Sequence, residues 1–179
     1  MRLLKKCIHQ DLETLKNPKL YKRTAARAIV LKNEEILLIY TKRYNDYSIP
    51  GGGVDEGEDI KTGLLRELSE ETGANRVKVI GEYGCYEEYR PTYYEGYDFM
   101  HMMSYFYICD ADKVLGDASP ESYEVANGSV PVWINIREAI AYNQNVMKNN
   151  ENSMGLSIQR ETFVLETIFK ELIEGDSLW

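Results

Sequence analysis

The segment IPGGGVDEGEDIKTGLLRELSEETGA, residues 49–74, constrains the fold most, because it joins a glycine triplet to a short amphipathic pattern rich in glutamate. If successive residues lie about 100° apart around a helix, Ile60, Leu64 and Leu68 form one apolar stripe within roughly 80°. A stripe of this kind packs against a core. The sequence therefore predicts a helix here whose apolar side faces the interior of the protein.

Two of the three glutamates in this helix lie close to the apolar stripe. On the same helical wheel Glu71 falls inside the stripe, and Glu67 lies about 20° beyond Ile60. Glu70 lies farther round, toward water. A solvated face is the ordinary interpretation of a run of carboxylates, but the positions of Glu67 and Glu71 oppose it. These two residues also form an i,i+4 pair of like charges, which desolvation makes more unfavourable.

A compensating positive charge is therefore expected near these glutamates. Arg66 supplies one charge but projects about 100° away from Glu67. A hard divalent cation is the better candidate, because Mg²⁺ takes carboxylate oxygens, keeps several waters and bridges to substrate phosphates. The glycines at 51–53 either form a tight turn or let a backbone carbonyl approach a ligand closely. Taken together, these residues predict a metal cradle.

Composition limits the class of protein. The 179 residues are 44% hydrophobic, which is enough for one domain with a core. A formal charge of −8, from 21 basic and 29 acidic residues, argues against broad binding to nucleic acid or anionic membranes. Three separated cysteines without a CxxC motif fit a reducing cytoplasm. No apolar run approaches the roughly 18 residues that span a bilayer, so we expect a cytoplasmic location and no membrane partner.

Hydrophobic patterning predicts the order of the elements. Residues 1–22 are expected to form an N-terminal extension, helical in part, before a core at 23–179. Strands are predicted at 24–31, 36–41, 77–90 and 99–111, followed by a strand entering a short helix at 130–143 and a last helix with apolar positions from 165 to 173. Regular βαβ alternation is missing, so the fold class is α/β (α+β) with a mixed sheet flanked by helices.

The charged positions of residues 52–74 follow a fixed spacing. Gly52 is followed after five residues by Glu58, and after seven more by Arg66-Glu67-Leu68, then Glu70-Glu71 and Gly73. The pattern resembles the Nudix box, GX5EX7REUXEEXGU, at every fixed position. Ala74 stands where a larger aliphatic residue is usual, and Gly63 stands where alanine is common; neither change alters a charged group.

The resemblance implies a Nudix-type α/β/α sandwich around a central mixed sheet. Such proteins typically hydrolyse a nucleoside diphosphate linked to another moiety, with Mg²⁺ or Mn²⁺. A small-molecule nucleotide substrate is then expected, and a homodimer is compatible with the family. Metal ions suit this chemistry because they lower the pKa of water, neutralise charge developing on phosphorus and reverse the local sign of an acidic site.

Roles for individual residues follow from the resemblance alone. Glu67 and Glu71 are the expected metal ligands, with the Gly51 carbonyl nearby and Glu58 as a further ligand. Glu70 or Glu67 would orient or deprotonate the attacking water, and the family sometimes gives this role to a carboxylate outside the box. Arg66 would fix a glutamate by a charge-assisted hydrogen bond.

Several alternatives stay open. Glu121 and Glu124 belong either to an exposed loop, the favoured interpretation, or to an extra ligand or base. Tyr93 and Tyr94 lie in a tyrosine-rich loop whose rings could stack on a base, although most tyrosines of that region are expected to be core or interface residues. A noncatalytic Nudix module, acting as a ligand sensor or protein partner, is the rival function, and the intact charged positions favour the enzyme. The nucleotide derivative is not specified by the sequence.

Overall fold

The computed structural model describes residues 1–175, which build a seven-stranded mixed sheet with helices on both faces. The strands are β1 (Leu3–Ile8), β2 (Leu20–Lys32), β3 (Glu35–Thr41), β4 (Asp46–Ser48), β5 (Lys78–Pro91), β6 (Phe99–Asp110) and β7 (Ser129–Asn135). The α-helices are α1 (Ile60–Thr72), α2 (Ser122–Asn127), α3 (Ile136–Asn149) and α4 (Ile158–Ile168). A short 3-10 helix (Gln10–Thr14) follows β1, and a π-helical turn (Phe169–Ile173) extends α4.

The order of strands across the sheet is β1-β5-β6-β2-β3-β4, and β7 also pairs with β3. The β1–β5 and β2–β6 pairs are parallel, whereas β5–β6, β3–β4 and β3–β7 are antiparallel. The sheet is therefore mixed, as the missing βαβ alternation predicted. β2 and β6 pair along most of their length, so these two strands form the centre on which the helices pack.

Alternation along β2 sends neighbouring side chains into two separate cores. Ala28 and its alternate neighbours on β2 pack against Leu64 and Leu68 of α1, both fully buried. Ile29, one residue along, packs on the opposite face against the apolar stripe of α4. Burying one leucine side chain stabilises the fold by about 1.5–3 kcal/mol. The predicted inward-facing stripe of the acidic helix is thus confirmed, and it fixes which way the glutamates of α1 lie.

Both ends of α1 are fixed by local interactions. The Asp59 side chain accepts hydrogen bonds from the backbone N–H groups of Lys61 and Thr62, at 3.1 and 3.0 Å, as an N-cap. Gly73 ends the helix in the left-handed conformation, with φ of 65°. A Cβ at this position would lie 2.4 Å from the Gly116 carbonyl oxygen, so the close approach itself requires glycine.

Two segments differ in detail from the predicted pattern. Residues 1–22 contain the expected helical turn, at Gln10–Thr14, but also β1, which extends the sheet beside β5. The separation of an N-terminal extension from the core stays a prediction. The helix after β7 is longer than predicted and ends at Asn149. It continues because Asn143, a polar residue that is fully buried, exchanges two 2.9 Å hydrogen bonds with the backbone of Tyr47.

Candidate active site

The glycine loop between β4 and α1 lies along the edge of β2. The Ala28 N–H donates to the Pro50 carbonyl at 2.9 Å, and the Ala26 N–H donates to the Gly52 carbonyl at 3.0 Å. The carbonyl between them, that of Gly51, accepts no hydrogen bond from residues 1–175. Its oxygen therefore keeps its lone pairs for a ligand, which supports the expectation that it lies near a metal.

Two glycines of this loop are in direct contact with the carboxylates of α1. The Gly51 N–H donates to Oε2 of Glu71 at 2.6 Å, and Gly51 has a φ of 125°. A Cβ on Gly52 would lie 2.1 Å from Oε2 of Glu67. Side chains at these two positions would displace the loop or the glutamates, so the glycines hold the backbone against both predicted metal ligands.

Arg66 is the centre of a charge network in front of α1. Its guanidinium forms two 3.0 Å hydrogen bonds to Glu58, one of 2.7 Å to Glu67 and one of 3.4 Å to Glu70. It also donates to the Gly53 carbonyl at 3.3 Å. Hydrogen bonds to Glu58 and Glu67 raise the pKa of Arg66 above its usual range. The predicted role of Arg66 in fixing a glutamate agrees with this geometry, although the network holds three glutamates instead of one.

Glu58 is more firmly bound to protein donors than a free ligand would be. Both of its oxygens accept from Arg66, and Oε2 also accepts from the Asp55 N–H at 3.0 Å. The hydrogen bonds from Arg66 lower the pKa of Glu58. A Cβ on Gly63 would lie 2.7 Å from Oε2 of Glu58, so the missing side chain in the middle of α1 leaves room for this pair. Glu58 as a metal ligand stays a prediction.

Glu71 has no ion pair within residues 1–175, and Glu67 shares Arg66 with two other glutamates. Burial raises the pKa of the Glu71 carboxyl well above its usual value, and the Arg27 charge and the Gly51 N–H only partly oppose this. Burial also raises the pKa of Glu67, against the effect of Arg66. Desolvation of an anion without a full counter-charge is unfavourable. The carboxylates of α1 are thus placed where a cation would stabilise their ionised forms.

Glu124 is a further member of this group, which the sequence analysis left open as an extra ligand or base but did not favour. The favoured exposed-loop interpretation is wrong for Glu124, which is the third residue of α2 and only 7% exposed, but correct for Glu121. Glu124 raises the pKa of Glu71 by hydrogen bonding and by charge repulsion. Its Oε2 accepts from the Glu121 N–H at 2.7 Å. That ExxE spacing at the start of a helix is the sequence signal that could have placed Glu124.

The donor set fits a hard divalent cation. Glu67, Glu71 and Glu124 supply carboxylate oxygens, and Gly51 supplies a free carbonyl. Within residues 1–175 no three His, Cys, Asp or Glu side chains are already arranged as a coordination shell, because Glu67 is turned to Arg66 and Glu71 to the Gly51 N–H. Oxygen-only donors with excess negative charge suit Mg²⁺ or Mn²⁺ better than a softer metal.

An open cleft of about 490 Å³ lies in front of these groups. We call it the acidic cleft; its lining residues are Arg23, Gly53, Asp55, Arg66, Glu67, Tyr94, Glu121 and Tyr123. Tyr94 lines this cleft, and its predicted contact with substrate stays a prediction. Arg23 and Tyr123 were not predicted from the sequence, since nothing in a lone arginine near a strand start or a lone tyrosine after a loop distinguishes it.

A second cavity of about 420 Å³ adjoins the acidic cleft. We call it the arginine cavity; its lining residues are Arg23, Tyr44, Arg90, Thr92, Tyr93, Tyr94, Met100, Met154, Gly155, Leu156 and Ser157. Tyr94 stacks on Tyr21 with ring centres 4.2 Å apart, whereas Tyr93 is 88% exposed. Arg23 and Tyr94 line both spaces, so one ligand can contact the two together.

Comparison with known proteins decides the family. Residues 22–153 match the NUDIX domain. The chain belongs to the NUDIX family. Two solved structures resemble this chain in fold. A NUDIX hydrolase from Nitrosomonas europaea has a TM-score of 0.53 and 18% identity, over 69% of this chain and 79% of that one. The E. coli ORF135 protein has a TM-score of 0.52 and 17% identity, over 88% of this chain and 96% of that one. The predicted mixed-sheet Nudix fold is confirmed.

Curated relatives match a shorter part of the chain. An RNA pyrophosphohydrolase of Campylobacter jejuni subsp. jejuni is 40% identical over 75 residues, which cover 38% of this chain and 47% of that protein. One from a Wolbachia strain is 44% identical over 55 residues, covering 29% and 34%. The chain thus spans less than half the length of these NUDIX relatives. Within residues 1–175 no helix is both long enough and apolar enough to cross a bilayer.

Proposed function

We propose that this NUDIX protein is a metal-dependent hydrolase that cleaves a diphosphate linkage in a nucleoside diphosphate derivative, with Mg²⁺ or Mn²⁺ as cofactor. The observation that carries the proposal is the convergence of Glu67, Glu71 and Glu124 behind one open cleft, where burial raises the pKa of the first two. An acidic protein of net charge −8 would repel a diphosphate unless cations were bound at the contact. The name of the relatives, RNA pyrophosphohydrolase, supports the same bond type.

The residues of the cleft divide into those that hold the metal and those that hold these ligands in place. Glu67, Glu71 and Glu124 would be the metal ligands, together with the Gly51 carbonyl. Arg66 joins Glu58, Glu67 and Glu70 by hydrogen bonds of 2.7 to 3.4 Å, which restrict the side chains that face the substrate. A divalent cation bound here would supply charge neutralisation at phosphorus and a lowered pKa for the attacking water.

The proposed general base is Glu70 or Glu67. Glu70 is the less buried of the two, and within residues 1–175 its carboxylate makes one hydrogen bond, to Arg66 at 3.4 Å, so it is free to accept a proton from a water in the cleft. Glu67 is held by the shorter 2.7 Å contact and against Gly52. A base and a ligand separate experimentally, because loss of a base changes the acid limb of the pH–rate profile.

A noncatalytic NUDIX module that binds a ligand or a partner protein is the alternative. It would need the fold but not the ordered set of carboxylates, and here Arg66 and the glycine loop hold those carboxylates individually. The intact network favours the enzyme.

A nucleotide panel tests the proposed function. The panel includes nucleoside di- and triphosphates, dinucleoside polyphosphates, nucleotide sugars such as ADP-ribose, and 5′-triphosphorylated RNA, each with Mg²⁺, with Mn²⁺ and with EDTA. We expect metal-dependent release of phosphate, pyrophosphate or a nucleoside monophosphate from at least one class, identified by chromatography. Product formation that is equal in EDTA, or that Glu71→Gln leaves unchanged, would contradict the proposal.

A further inference from the structure

The side chains of Arg23 and Arg90, which line the arginine cavity, have almost no partners within residues 1–175. The Arg23 guanidinium makes no hydrogen bond or ion pair with any other residue in that range. The Arg90 guanidinium makes no hydrogen bond there either, and its buried Nε has no acceptor. Its single ion-pair contact is Nε to Oε1 of Glu88 at 3.6 Å, too long for a hydrogen bond. Each guanidinium offers five donors, so the cavity presents a surplus of unsatisfied N–H groups.

The carboxylates behind the cavity are already occupied by another arginine. Arg160, only 2% exposed, donates a hydrogen bond to Oε1 of Glu88. It also donates two hydrogen bonds to Oε1 of Glu161, at 2.8 and 3.1 Å. Arg90 thus shares the charge of Glu88 with Arg160, which is much closer to it. Burial and the nearby charges of Arg160 and Arg23 lower the pKa of Arg90 despite Glu88. A buried cation without a full partner is unfavourable, so this arrangement favours an anionic ligand.

Aromatic and thioether side chains complete the walls of the cavity. Tyr44, Tyr93 and Tyr94 supply ring faces or edges, and Met100 and Met154 supply adaptable apolar contacts. Stacking of a base on a tyrosine is tolerant of the base identity. Guanidinium groups bind phosphate with paired, charge-assisted hydrogen bonds. The combined chemistry is that of a nucleoside carrying its own phosphate.

We propose that the arginine cavity binds a phosphate carried by the ribose of the substrate nucleoside, separate from the diphosphate that is cleaved in the acidic cleft. The inference rests on the proposed function and names its substrate class: a ribose-phosphorylated nucleotide, with the diphosphate at one end and a second phosphate at the other. Arg23 and Tyr94 border both spaces, so a single nucleotide reaches from one to the other. Two sources share this chemistry, a phosphomonoester on the ribose of a small nucleotide and the first phosphodiester of an RNA 5′ end.

Equilibrium binding without metal tests the inference independently of turnover. Calorimetry in EDTA compares adenosine 5′-monophosphate with adenosine 3′,5′-bisphosphate, adenosine 2′,5′-bisphosphate and the 5′-phosphorylated dinucleotide pApA. We expect at least one ribose-phosphorylated probe to bind tenfold or more tightly than the monophosphate. Selective binding of pApA alone identifies the phosphodiester source, and selective binding of a bisphosphate identifies the phosphomonoester. Equal affinity for all four probes would overturn the inference.

Matched variants identify the residues responsible. Arg90→Gln should reduce the tenfold preference to threefold or less, while affinity for adenosine 5′-monophosphate changes little. Arg23→Gln should reduce the preference in the same way but also weaken the binding of the monophosphate, because Arg23 lines the acidic cleft as well. Lys78→Gln is the control, because it removes the same charge from the other, exposed end of β5 and should leave the preference unchanged. A preference that survives in both arginine variants would place the phosphate elsewhere and overturn the inference.

Thermal melting separates a binding role from a structural one. Without ligand, Arg90→Gln should melt at or above the wild-type temperature, since a crowded, unpaired charge is removed. A variant that melts lower and loses affinity for every probe equally would show a structural role and overturn the inference. If the preference is found but no diphosphate is hydrolysed in the nucleotide panel, the proposed function fails and the phosphate site stands. If a diphosphate is hydrolysed but no ribose-phosphorylated probe is preferred, the proposed function stands and the phosphate site fails.

Discussion

The acidic cleft and the arginine cavity adjoin each other but have opposite charge deficits. In the cleft, the Arg66 guanidinium is shared by Glu58, Glu67 and Glu70, and Glu71 lies behind them with a pKa raised by burial. In the cavity, the Arg90 side chain has one ion pair at 3.6 Å and no hydrogen bond within residues 1–175. Carboxylates outnumber guanidinium groups in and behind the cleft, whereas the lining of the cavity contains two guanidinium groups and no carboxylate.

This difference offers a physical route by which a protein with a net charge of −8 would bind the proposed polyanionic substrate. Its overall field repels a nucleotide, so attraction must come from local sites. A cation in the cleft would bind the diphosphate, and the cavity would bind a second anionic group directly through guanidinium donors. Two sites of this kind also orient the ligand, because only one end of the substrate can be stabilised by each.

The largest expected effect is on turnover when a charge is removed from the cleft. Glu71→Gln subtracts a metal-ligating charge at nearly constant volume, so kcat/KM should fall at least 100-fold, about 3 kcal/mol of transition-state stabilisation. Circular dichroism and melting, measured alongside turnover, should show an intact fold. Glu56→Gln, which removes an exposed carboxylate from the loop before α1, is the control and should retain activity. Unchanged turnover in Glu71→Gln would remove the cleft from the chemistry.

The sequence predicted the cleft much better than the cavity. The cleft residues 51–71 are close in the chain and follow helical spacing, so periodicity alone placed Glu67 and Glu71 near the buried side of α1. The cavity is assembled from β2, the end of β5 and the segment around Met154, which are far apart in sequence. No local pattern marks Arg23 or Arg90 as unpaired, because that property depends on which carboxylates the fold places nearby. The exposure of Glu124 was predicted wrongly for the same reason, because its burial depends on which parts of the fold pack around it.

Metal binding should stabilise the folded protein through the cleft alone. A cation that binds only the native state adds RT ln(1 + [L]/Kd), about 2.7 kcal/mol at a concentration of 100 Kd. We expect Mg²⁺ or Mn²⁺ to raise the melting temperature of wild type and of Arg90→Gln alike. The double variant Glu67→Gln/Glu71→Gln should lose the increment, and without metal it should be more stable than wild type because like charges at a buried edge are removed. A metal-free double variant no more stable than wild type would contradict that repulsion.

A buried acid on the side of the cavity should make stability depend on pH. Asp46 is 3% exposed and adjoins Gly155, because a Cβ added to that glycine would lie 3.6 Å from Oδ2 of Asp46. Burial, together with the charge of Glu161, raises the pKa of Asp46 from 3.8 to about 7. The folded state therefore holds the proton more tightly than the unfolded state, and the free energy of unfolding should fall as pH rises from about 4 to about 7.

Asp46→Asn tests this by removing the titration. At pH 8 the variant should be more stable than wild type, by on the order of 2 kcal/mol, and its stability should change less between pH 5 and pH 8. Urea unfolding at several pH values measures both quantities. Asp117→Asn, at an exposed position, is the control and should follow the wild-type curve. Parallel curves for wild type and Asp46→Asn would show that Asp46 is ionised throughout.

The smallest expected effects concern the two tyrosines at the border between the cleft and the cavity. Tyr94 stacks on Tyr21 and lines both spaces, whereas Tyr93 is 88% exposed and lines the cavity alone. Tyr94→Ala should raise KM for a purine nucleotide by a factor equivalent to about 1 kcal/mol of binding free energy, at the low end of base stacking. It should leave metal affinity unchanged. Tyr93→Ala should have the same direction with a smaller magnitude, because an exposed ring is stacked on a base for less of the time.

Kinetics and melting on the two single variants decide whether the tyrosines contact substrate or only support the loop. Loss of the ring contact with Tyr21 alone would lower the melting temperature of Tyr94→Ala by the equivalent of about 0.5–1.5 kcal/mol. Tyr21→Ala breaks the same ring pair, together with the 5.2 Å ring contact between Tyr21 and Tyr97, but leaves Tyr94 in place, so it gives an upper bound on that stability contribution. A higher KM in Tyr94→Ala than in Tyr21→Ala, at similar stability loss, identifies a substrate contact. A stability loss without any change in KM in either variant would remove the loop from the substrate site, and the two charge-deficient regions would then bind the nucleotide without an aromatic platform between them.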